Sequence, residues 1–191
     1  AYKLSKKINT RKIITYSQVR KDSDIKIINI KNKGAKTFFS LIIKKNIIEN
    51  YKGTYYFESN ILGKHNVSNA TAAIIASLLA GASINKITKS LKSFKGVNRR
   101  FTFLGKIQKS RIYDDYAHHP TEIEASYEIA KILSKKRIIV IFQPHRFSRT
   151  KQLYNHFLMI LKKIDILYVM DIYPAGEKTI KNINSKKIVK D

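Results

Sequence analysis

The sequence contains no cysteine, and this absence excludes disulfide bonds, thiolate chemistry and the best soft metal ligand. No apolar run approaches the ~18–20 residues that a transmembrane helix requires, so we expect no membrane association. The chain opens with Ala1 and shows no signal-peptide pattern. A start at Ala1 rather than Met is compatible with a piece of a longer protein.

Two glycine-rich phosphate-binding patterns are also missing. The sequence contains neither Gly-x-x-x-x-Gly-Lys-Ser/Thr nor Gly-x-Gly-x-x-Gly. If this chain contacts a nucleotide, it does so without a phosphate-binding loop of its own.

Acidic residues are few: 13 Asp and Glu stand against 38 Lys and Arg, which gives a formal net charge of +25 at pH 7. A basic face is the electrostatic footprint of phosphate binding, so a nucleic-acid-binding protein is one alternative. However, the excess is mostly Lys and is spread along the whole chain. We therefore expect no nucleic-acid partner, although the charge would attract anionic metabolites at low salt.

The first part of the chain, residues 1–62, is β-rich. Alternating and apolar segments predict strands at 24–32, 37–44 and 51–57, with a glycine-containing turn after the first. This pattern favours an antiparallel meander.

Helical patterns begin after Gly63. Small residues predict a helix over 66–80, which Gly81 would end as its C′ residue. Ser83 is a candidate N-cap for a second helix over 84–94, where apolar residues recur at intervals of three and four.

The segment GVNRRF at 96–101 breaks the helical pattern, so we divide the chain into domains 1–97 and 98–191. Strand, helix, strand, helix and strand then follow at 107–116, 120–133, 137–142, 148–163 and 166–172, and the first of these strands could be part of a hairpin after Gly105. Pro120 suits a first helical position. The continuous apolar run at 137–142 is typical of a strand covered on both faces. Strands separated by helices predict right-handed crossovers, a mostly parallel sheet and an α/β fold.

Two pairs of polar residues are candidates for ligand binding near the boundary. Asn66 and Asn69 are three apart at a helix start, so both carboxamides can face an adenine edge; alternatively, one caps the helix and the other is solvated. Arg99 and Arg100 could bind phosphate or carboxylate, or could simply be solvated.

The segment YDDYAHHP follows the first strand of the second domain. Asp114 and Asp115 face opposite sides of that strand, so one carboxylate could accept hydrogen bonds from a ribose diol. His118 and His119 precede a helix N-terminus, which favours anions. We expect no metal site, because adjacent histidines rarely chelate one ion; capping and loop solvation stay open as alternatives.

The segment FQPHRFSRT follows the second strand of that domain. His145, Arg146 and Arg149 lie around a predicted helix start, where the two guanidinium groups could converge on a carboxylate or phosphate. Cations at the positive end of a helix dipole are unfavourable unless an anion is near. This pattern therefore indicates an anionic ligand.

Together these motifs resemble the Mur ligase family. In chain order they are GKHNVSNATAAI, FKGVNRRF, YDDYAHHPTEI, FQPHRFSRT and DIYPAGE. The resemblance covers about 63–177 and extends more weakly to the β-rich start. It implies that residues 1–97 are the later part of the family's central ATP-binding domain and that residues 98–191 are a truncated, Rossmann-like C-terminal domain.

Within the family, the motifs match the branch that adds L-alanine to UDP-N-acetylmuramate in the cytoplasm through an acyl phosphate, using ATP and Mg²⁺. The resemblance implies adenine-facing roles for Asn66 and Asn69, a nucleotide contact for Arg100, and a ribose contact for Asp115. It also implies that five residues face the muramyl carboxylate and alanine: His118, His119, His145, Arg146 and Arg149.

The resemblance also implies that the uridine-nucleotide domain, the phosphate-binding loop and the Mg²⁺ ligands lie in a missing N-terminal half. We therefore expect this chain alone to have no ligase activity and to bind ATP weakly. The alternative within the family is the ligase that recycles murein tripeptides; the PHRFSR sequence at 144–149 disfavours it. A purely structural or interaction module is the third possibility.

Overall fold

The computed structural model describes residues 13–134 and 136–191, and the chain divides into two compact units, Ala1–Gly96 and Val97–Asp191. Residues 1–12, part of the predicted β-rich start, lie outside the described residues. Both units mix helices and strands, which confirms the α/β class. No helix among the described residues is long and apolar enough to span a bilayer.

Over residues 13–96, the first unit contains a four-stranded sheet in the order β1-β2-β3-β4 and two helices. Its elements are β1 (Tyr16–Ser17), β2 (Ile25–Lys33), β3 (Lys36–Ile48), β4 (Tyr51–Ser59), α1 (Lys64–Leu79) and α2 (Ile84–Ser93). The last three strands form the predicted antiparallel meander, and the short β1 adds to β2 in parallel.

One continuous core holds this unit together. Alternate residues of β2, namely Ile25 and Ile27, are buried, as expected for a strand with one face inside. Helix α1 contacts the first three strands, and α2 contacts β4. The core therefore lies between one face of the sheet and the two helices.

Helix α1 ends as the sequence predicts. Gly81 has a φ of 88°, a left-handed conformation that glycine adopts without a Cβ clash. The Gly81 N–H donates to the Leu78 carbonyl at 3.0 Å, and the Ala82 N–H donates to the Ser77 carbonyl at 2.9 Å. This pair of bonds is a Schellman motif.

The second unit contains an antiparallel hairpin, a parallel strand pair and four helices among the described residues. The elements are β5 (Thr102–Ile107), β6 (Ser110–Asp114), α3 (Pro120–Leu133), β7 (Ile139–Phe142), α4 (Phe147–Gln152), α5 (Tyr154–Leu161), β8 (Ile166–Val169) and α6 (Ser185–Lys190). Helices α3 and α5 contact each other over a core that includes Ile123, Phe142 and Phe157.

The predicted parallel sheet is smaller than expected among the described residues. Only β7 and β8 pair in parallel, whereas β6 pairs with β5. The turn after Ile107, where Gln108 takes a φ of 53°, returns the chain at once, so β6 meets its hydrogen-bonding needs within a hairpin.

Two further expectations are wrong in detail. The segment 148–163 is not one helix, because Leu153 (φ −107°, ψ 16°) separates α4 from α5. Strand β7 is not covered on both faces: Ile139 and Ile141 are 56% and 70% exposed. Its other face packs on the helical core, so this strand has one buried side only.

Candidate functional site

The two asparagines of α1 lie side by side at the start of the helix. Gly63 is the N-cap residue, so neither asparagine caps the helix. The Asn66 Nδ2 donates to the Leu62 carbonyl at 2.8 Å, and the Asn69 Nδ2 lies 3.5 Å from the Asn66 Oδ1. Asn69 is exposed, so its carboxamide can still present a donor and an acceptor to a ligand.

Both arginines that follow the unit boundary have acidic neighbours. The Arg99 Nε lies 3.5 Å from the Asp114 Oδ2, and the Arg100 Nη1 lies 3.4 Å from the Glu122 Oε1. The Arg99 guanidinium also lies 4.8 Å from the centre of the Tyr116 ring. Both side chains are more than half exposed, so a bound anion can compete for them.

Asp115 is held by three hydrogen bonds from its own unit. Its Oδ2 accepts from the Phe101 N–H and the Ser126 hydroxyl, both at 2.9 Å, and its Oδ1 accepts from the Ala117 N–H at 2.8 Å. These donors come from the segment before β5, from α3 and from the loop after β6. Asp115 therefore ties three segments together, and this structural task was not expected from the sequence.

The loop before α3 is fastened by Glu122. The Glu122 Oε2 accepts from the His118 N–H at 3.1 Å and from the His119 N–H at 3.2 Å, while the His119 Nδ1 accepts from the Thr121 N–H at 3.3 Å. This is a capping box with His119 as N-cap, followed by Pro120 at the first helical position.

The capping box changes the predicted anion site. Pro120 has no N–H, and the Glu122 carboxylate already occupies the backbone donors of His118 and His119. Partial burial raises the pKa of Glu122, but those two backbone hydrogen bonds, with help from His118 and Arg100, hold it below its ordinary value. The Glu122 carboxylate therefore occupies the N-terminus of α3. A ligand can contact this loop through the side chains of His118 and His119.

The residues after β7 are fixed by an extension of the strand pairing. His145 forms a parallel bridge with Tyr173, and the Arg146 N–H donates to the Tyr173 carbonyl at 2.8 Å. Arg146 takes a φ of 73° and is the N-cap of α4. The Arg149 Nη1, one turn later, lies 3.4 Å from the His145 carbonyl.

The cations at this second helix start predicted a nearby anion, and Glu177 of the chain itself supplies one. Its Oε2 accepts from the Ser148 N–H at 2.9 Å, and its Oε1 accepts from the Ser148 hydroxyl at 2.6 Å. These two bonds hold the pKa of Glu177 below its ordinary value. Because Glu177 already faces the positive end of the α4 dipole, the dipole no longer indicates a ligand. The indication that remains is the pocket that Arg146 and Arg149 share.

Three of the predicted substrate-facing residues do line one pocket. Its volume is about 340 Å³, and its walls are His119, Arg146, Ser148, Arg149, Gln152 and Leu153. Two guanidinium groups and an imidazole around one space can bind a carboxylate or phosphate by charge-assisted hydrogen bonds. Arg100 and Asp115 do not line this pocket.

His145 and His118 lie beside this pocket as a ring pair. Their ring centres are 5.6 Å apart, and the Tyr173 ring centre lies 5.3 Å from that of His145. Burial lowers the pKa of His145, and the nearby Arg149, His118 and Arg146 lower it further. His145 is therefore neutral at pH 7 and can accept a hydrogen bond.

Sequence reasoning missed several residues at this site. Glu122 had a local signal, because Glu at the third helical position is half of a capping box. Glu177 ends the DIYPAGE motif, but the motif does not show that this residue meets Ser148, 29 residues away. Among residues 13–134 and 136–191, no group of three or more His, Asp or Glu side chains could hold a metal ion.

Comparisons with known proteins agree with this architecture. Residues 99–191 match the family described as Mur ligase, glutamate ligase domain. The chain is also similar to proteins named UDP-N-acetylmuramate–L-alanine ligase: 43% identical to that of Wigglesworthia glossinidia brevipalpis (93% of this chain, 38% of the relative) and 39% identical to that of Rickettsia massiliae (98% and 39%). The chain therefore belongs to the Mur ligase family.

A solved structure supports the fold. The UDP-N-acetylmuramate–alanine ligase of Thermotoga maritima superposes with a TM-score of 0.62 at 24% identity, covering 82% of this chain and 39% of that one. This chain spans about two fifths of the length of the curated relatives it matches. These similarities do not favour the recycling ligase or a nucleic-acid-binding protein.

Proposed function

We propose that this chain is part of an ATP-dependent ligase that joins L-alanine to UDP-N-acetylmuramate. The pocket between His119, Arg146 and Arg149 carries the proposal, because both substrates of this reaction present a carboxylate. The relatives of the same name, at up to 43% identity, support this choice of substrates. Residues 1–97 would be the later part of the central ATP-binding domain, and residues 98–191 would be the C-terminal domain.

The reaction would proceed in two steps. The muramyl carboxylate oxygen attacks the γ-phosphorus of ATP, which forms an acyl phosphate and releases ADP. The neutral amine of L-alanine then attacks the acyl carbon, and the resulting tetrahedral intermediate expels phosphate as the amide forms. Positioning and charge stabilisation account for most of the acceleration in such chemistry, since side chains form no covalent bonds.

Arg146, Arg149 and His119 would hold the carboxylates of the two substrates. His145, kept neutral by burial and by the arginines, would accept a proton or a hydrogen bond from the attacking amine. His118, whose ring lies against His145, would complete that side of the site.

Four residues would contact ATP: Asn66, Asn69, Arg100 and Asp115. The exposed carboxamide of Asn69 suits an adenine edge, and the exposed Arg100 suits phosphate. Asp115 has about four acceptor positions, of which three hydrogen bonds use three. The remaining position, on Oδ1, can accept a ribose hydroxyl. No group of three or more His, Asp or Glu side chains among the described residues could hold Mg²⁺, and its ligands would lie in the N-terminal half of the enzyme.

The test is a coupled assay on the protein at its native length. With UDP-N-acetylmuramate, L-alanine and ATP, we expect one ADP and one phosphate for each amide formed. The matched assay replaces L-alanine with a murein tripeptide. Faster ligation of the tripeptide would identify the recycling activity instead, and ATP turnover without any amide product would refute the proposal.

A further inference from the structure

Glu122 contacts predicted site residues of both kinds in the second unit, namely Arg100 of the predicted ATP contacts and His118 and His119 of the predicted substrate contacts. Its Oε2 binds the backbone N–H groups of His118 and His119, and its Oε1 lies 3.4 Å from the Arg100 guanidinium. The carboxyl is about one third exposed. It does not line the pocket, so any effect on substrate must pass through these neighbours.

The geometry of the loop explains why such an acid is needed. The loop from Tyr116 to His119 has no regular secondary structure, and its two histidine side chains have different contacts. The His118 ring contacts His145 and the Tyr116 carbonyl, whereas His119 reaches the pocket with Arg146 and Arg149. Only the backbone is common to both, and Glu122 binds the backbone at both residues.

We propose that Glu122 is a positioning residue that fixes His118 and His119 for the substrate-binding pocket. By accepting both N–H groups with one oxygen, it sets the path of the loop from which the two imidazoles project. It also fills the anion-binding end of α3, so that an anionic substrate is directed to the pocket side chains instead of the helix terminus. This inference rests on the proposed function for its kinetic test, but not for its structural test.

The conservative variant separates positioning from charge. Glu122→Gln keeps an oxygen at the same place, and glutamine serves the same position in capping boxes. Glu122→Ala removes the acceptor and leaves two backbone donors without their partner. We therefore expect Gln to preserve the loop and Ala to release it.

The structural test is amide hydrogen exchange in the full chain. In Glu122→Ala, exchange at His118 and His119 should accelerate about tenfold, in line with the loss of a hydrogen bond to a charged group, while the interior of α3 at Ile129 stays protected. In Glu122→Gln, both amides should stay within about threefold of the wild-type rate. Uniform acceleration through α3 in either variant would reduce Glu122 to a helix cap and overturn the proposal.

The kinetic test uses the native-length protein. Glu122→Ala should raise the KM for L-alanine or UDP-N-acetylmuramate about tenfold, while the KM for ATP should change less than about threefold. In Glu122→Gln, the KM for L-alanine and the KM for UDP-N-acetylmuramate should stay near the wild-type values. Unchanged KM values for L-alanine and UDP-N-acetylmuramate in Glu122→Ala would contradict positioning of the substrate-binding side chains. If the wild-type protein forms no amide, the proposed function fails, while the exchange result still decides the role of Glu122.

Discussion

The two charged loops of the second unit look alike in sequence but are built differently. The loop after β6 is tied down by acids from its own neighbourhood: Asp115 accepts three hydrogen bonds and Glu122 accepts two from the backbone. The loop after β7 receives a single acid, Glu177, from a distant segment, and its arginines stay turned toward a pocket. The loop after β6 is thus held mainly by hydrogen bonds to acidic side chains, whereas the arginines of the loop after β7 mainly line a pocket.

The largest expected effect tests the hydrogen bonds that hold the loop after β6. Asp115→Ala removes three hydrogen bonds to a charged, half-buried acceptor, and we expect the free energy of unfolding of the second unit to fall by about 2–4 kcal/mol. Urea titration followed by a probe in that unit measures this change. The control is Asp114→Ala, whose side chain makes one exposed ion pair with Arg99 and should cost less than about 1 kcal/mol. Equal losses in both variants would show that Asp115 is no more structural than its neighbour.

The second prediction tests the arginines that line the pocket. Arg149→Ala should raise the KM for L-alanine or UDP-N-acetylmuramate at least about tenfold, because a charge-assisted contact to a carboxylate is lost, and should hardly change stability. Steady-state assays on the native-length protein provide the measurement. Lys151→Ala, on the exposed side of the same helix, is the matched control and should leave each KM unchanged. A similar rise in both variants would point to net charge rather than to the pocket.

The third prediction concerns acid stability and applies to both loops. Glu122 and Glu177 have pKa values below the ordinary 4.5, so each stabilises the fold above that value and loses its contribution as the pH falls through its lowered pKa. In Glu122→Gln/Glu177→Gln, the second unit should therefore lose less stability than wild type between about pH 5 and about pH 3. Urea midpoints at several pH values measure this difference. Glu128→Gln, at an exposed site on α3, should keep the wild-type dependence of stability on pH. The same dependence in Glu122→Gln/Glu177→Gln would contradict the role given to these two acids.

The smallest expected effect on stability concerns Arg100, which contacts Glu122 but does not hold the loop itself. Its ion pair with Glu122 is exposed and 3.4 Å long, so Arg100→Ala should change stability by less than about 1 kcal/mol. The KM for ATP should nevertheless rise severalfold if Arg100 contacts the nucleotide. Lys106→Ala, at an exposed position of the hairpin strand β5, is a control for lost positive charge. An unchanged KM for ATP in Arg100→Ala would remove Arg100 from the nucleotide site.

Local signals in the sequence were enough for many elements. Pro120 marks the observed first residue of α3, Gly81 ends α1 with a positive φ, and the alternation in β2 gives its buried face. Each of these depends on residues within a few positions of one another, where backbone sterics and side-chain period decide the outcome.

Features that depend on distant partners were not predictable in the same way. The sequence allowed a hairpin at β6, but it does not show that Glu177 will meet Ser148, or that parallel pairing among the described strands of this unit will be confined to β7 and β8. The contacts of Asp115 were missed for the same reason, since its donors include Phe101 and Ser126. The motif YDDYAHHP suggested which side chains could contact a ligand. It did not show that one of them, Asp115, would also stabilise the fold through hydrogen bonds.

The interruption at Leu153 has a consequence for how this domain can change. Helix α4 carries the pocket residues Ser148, Arg149 and Gln152, and α5 carries Phe157 and Ile160 of the core. In one unbroken helix, every insertion or deletion would rotate the pocket face against the core face by about 100° per residue. Because Leu153 separates the two helices, the segment that lines the pocket can vary in length or direction while the orientation of the core-packing segment is kept. Relatives with other substrates could therefore diverge in the first segment without losing the fold.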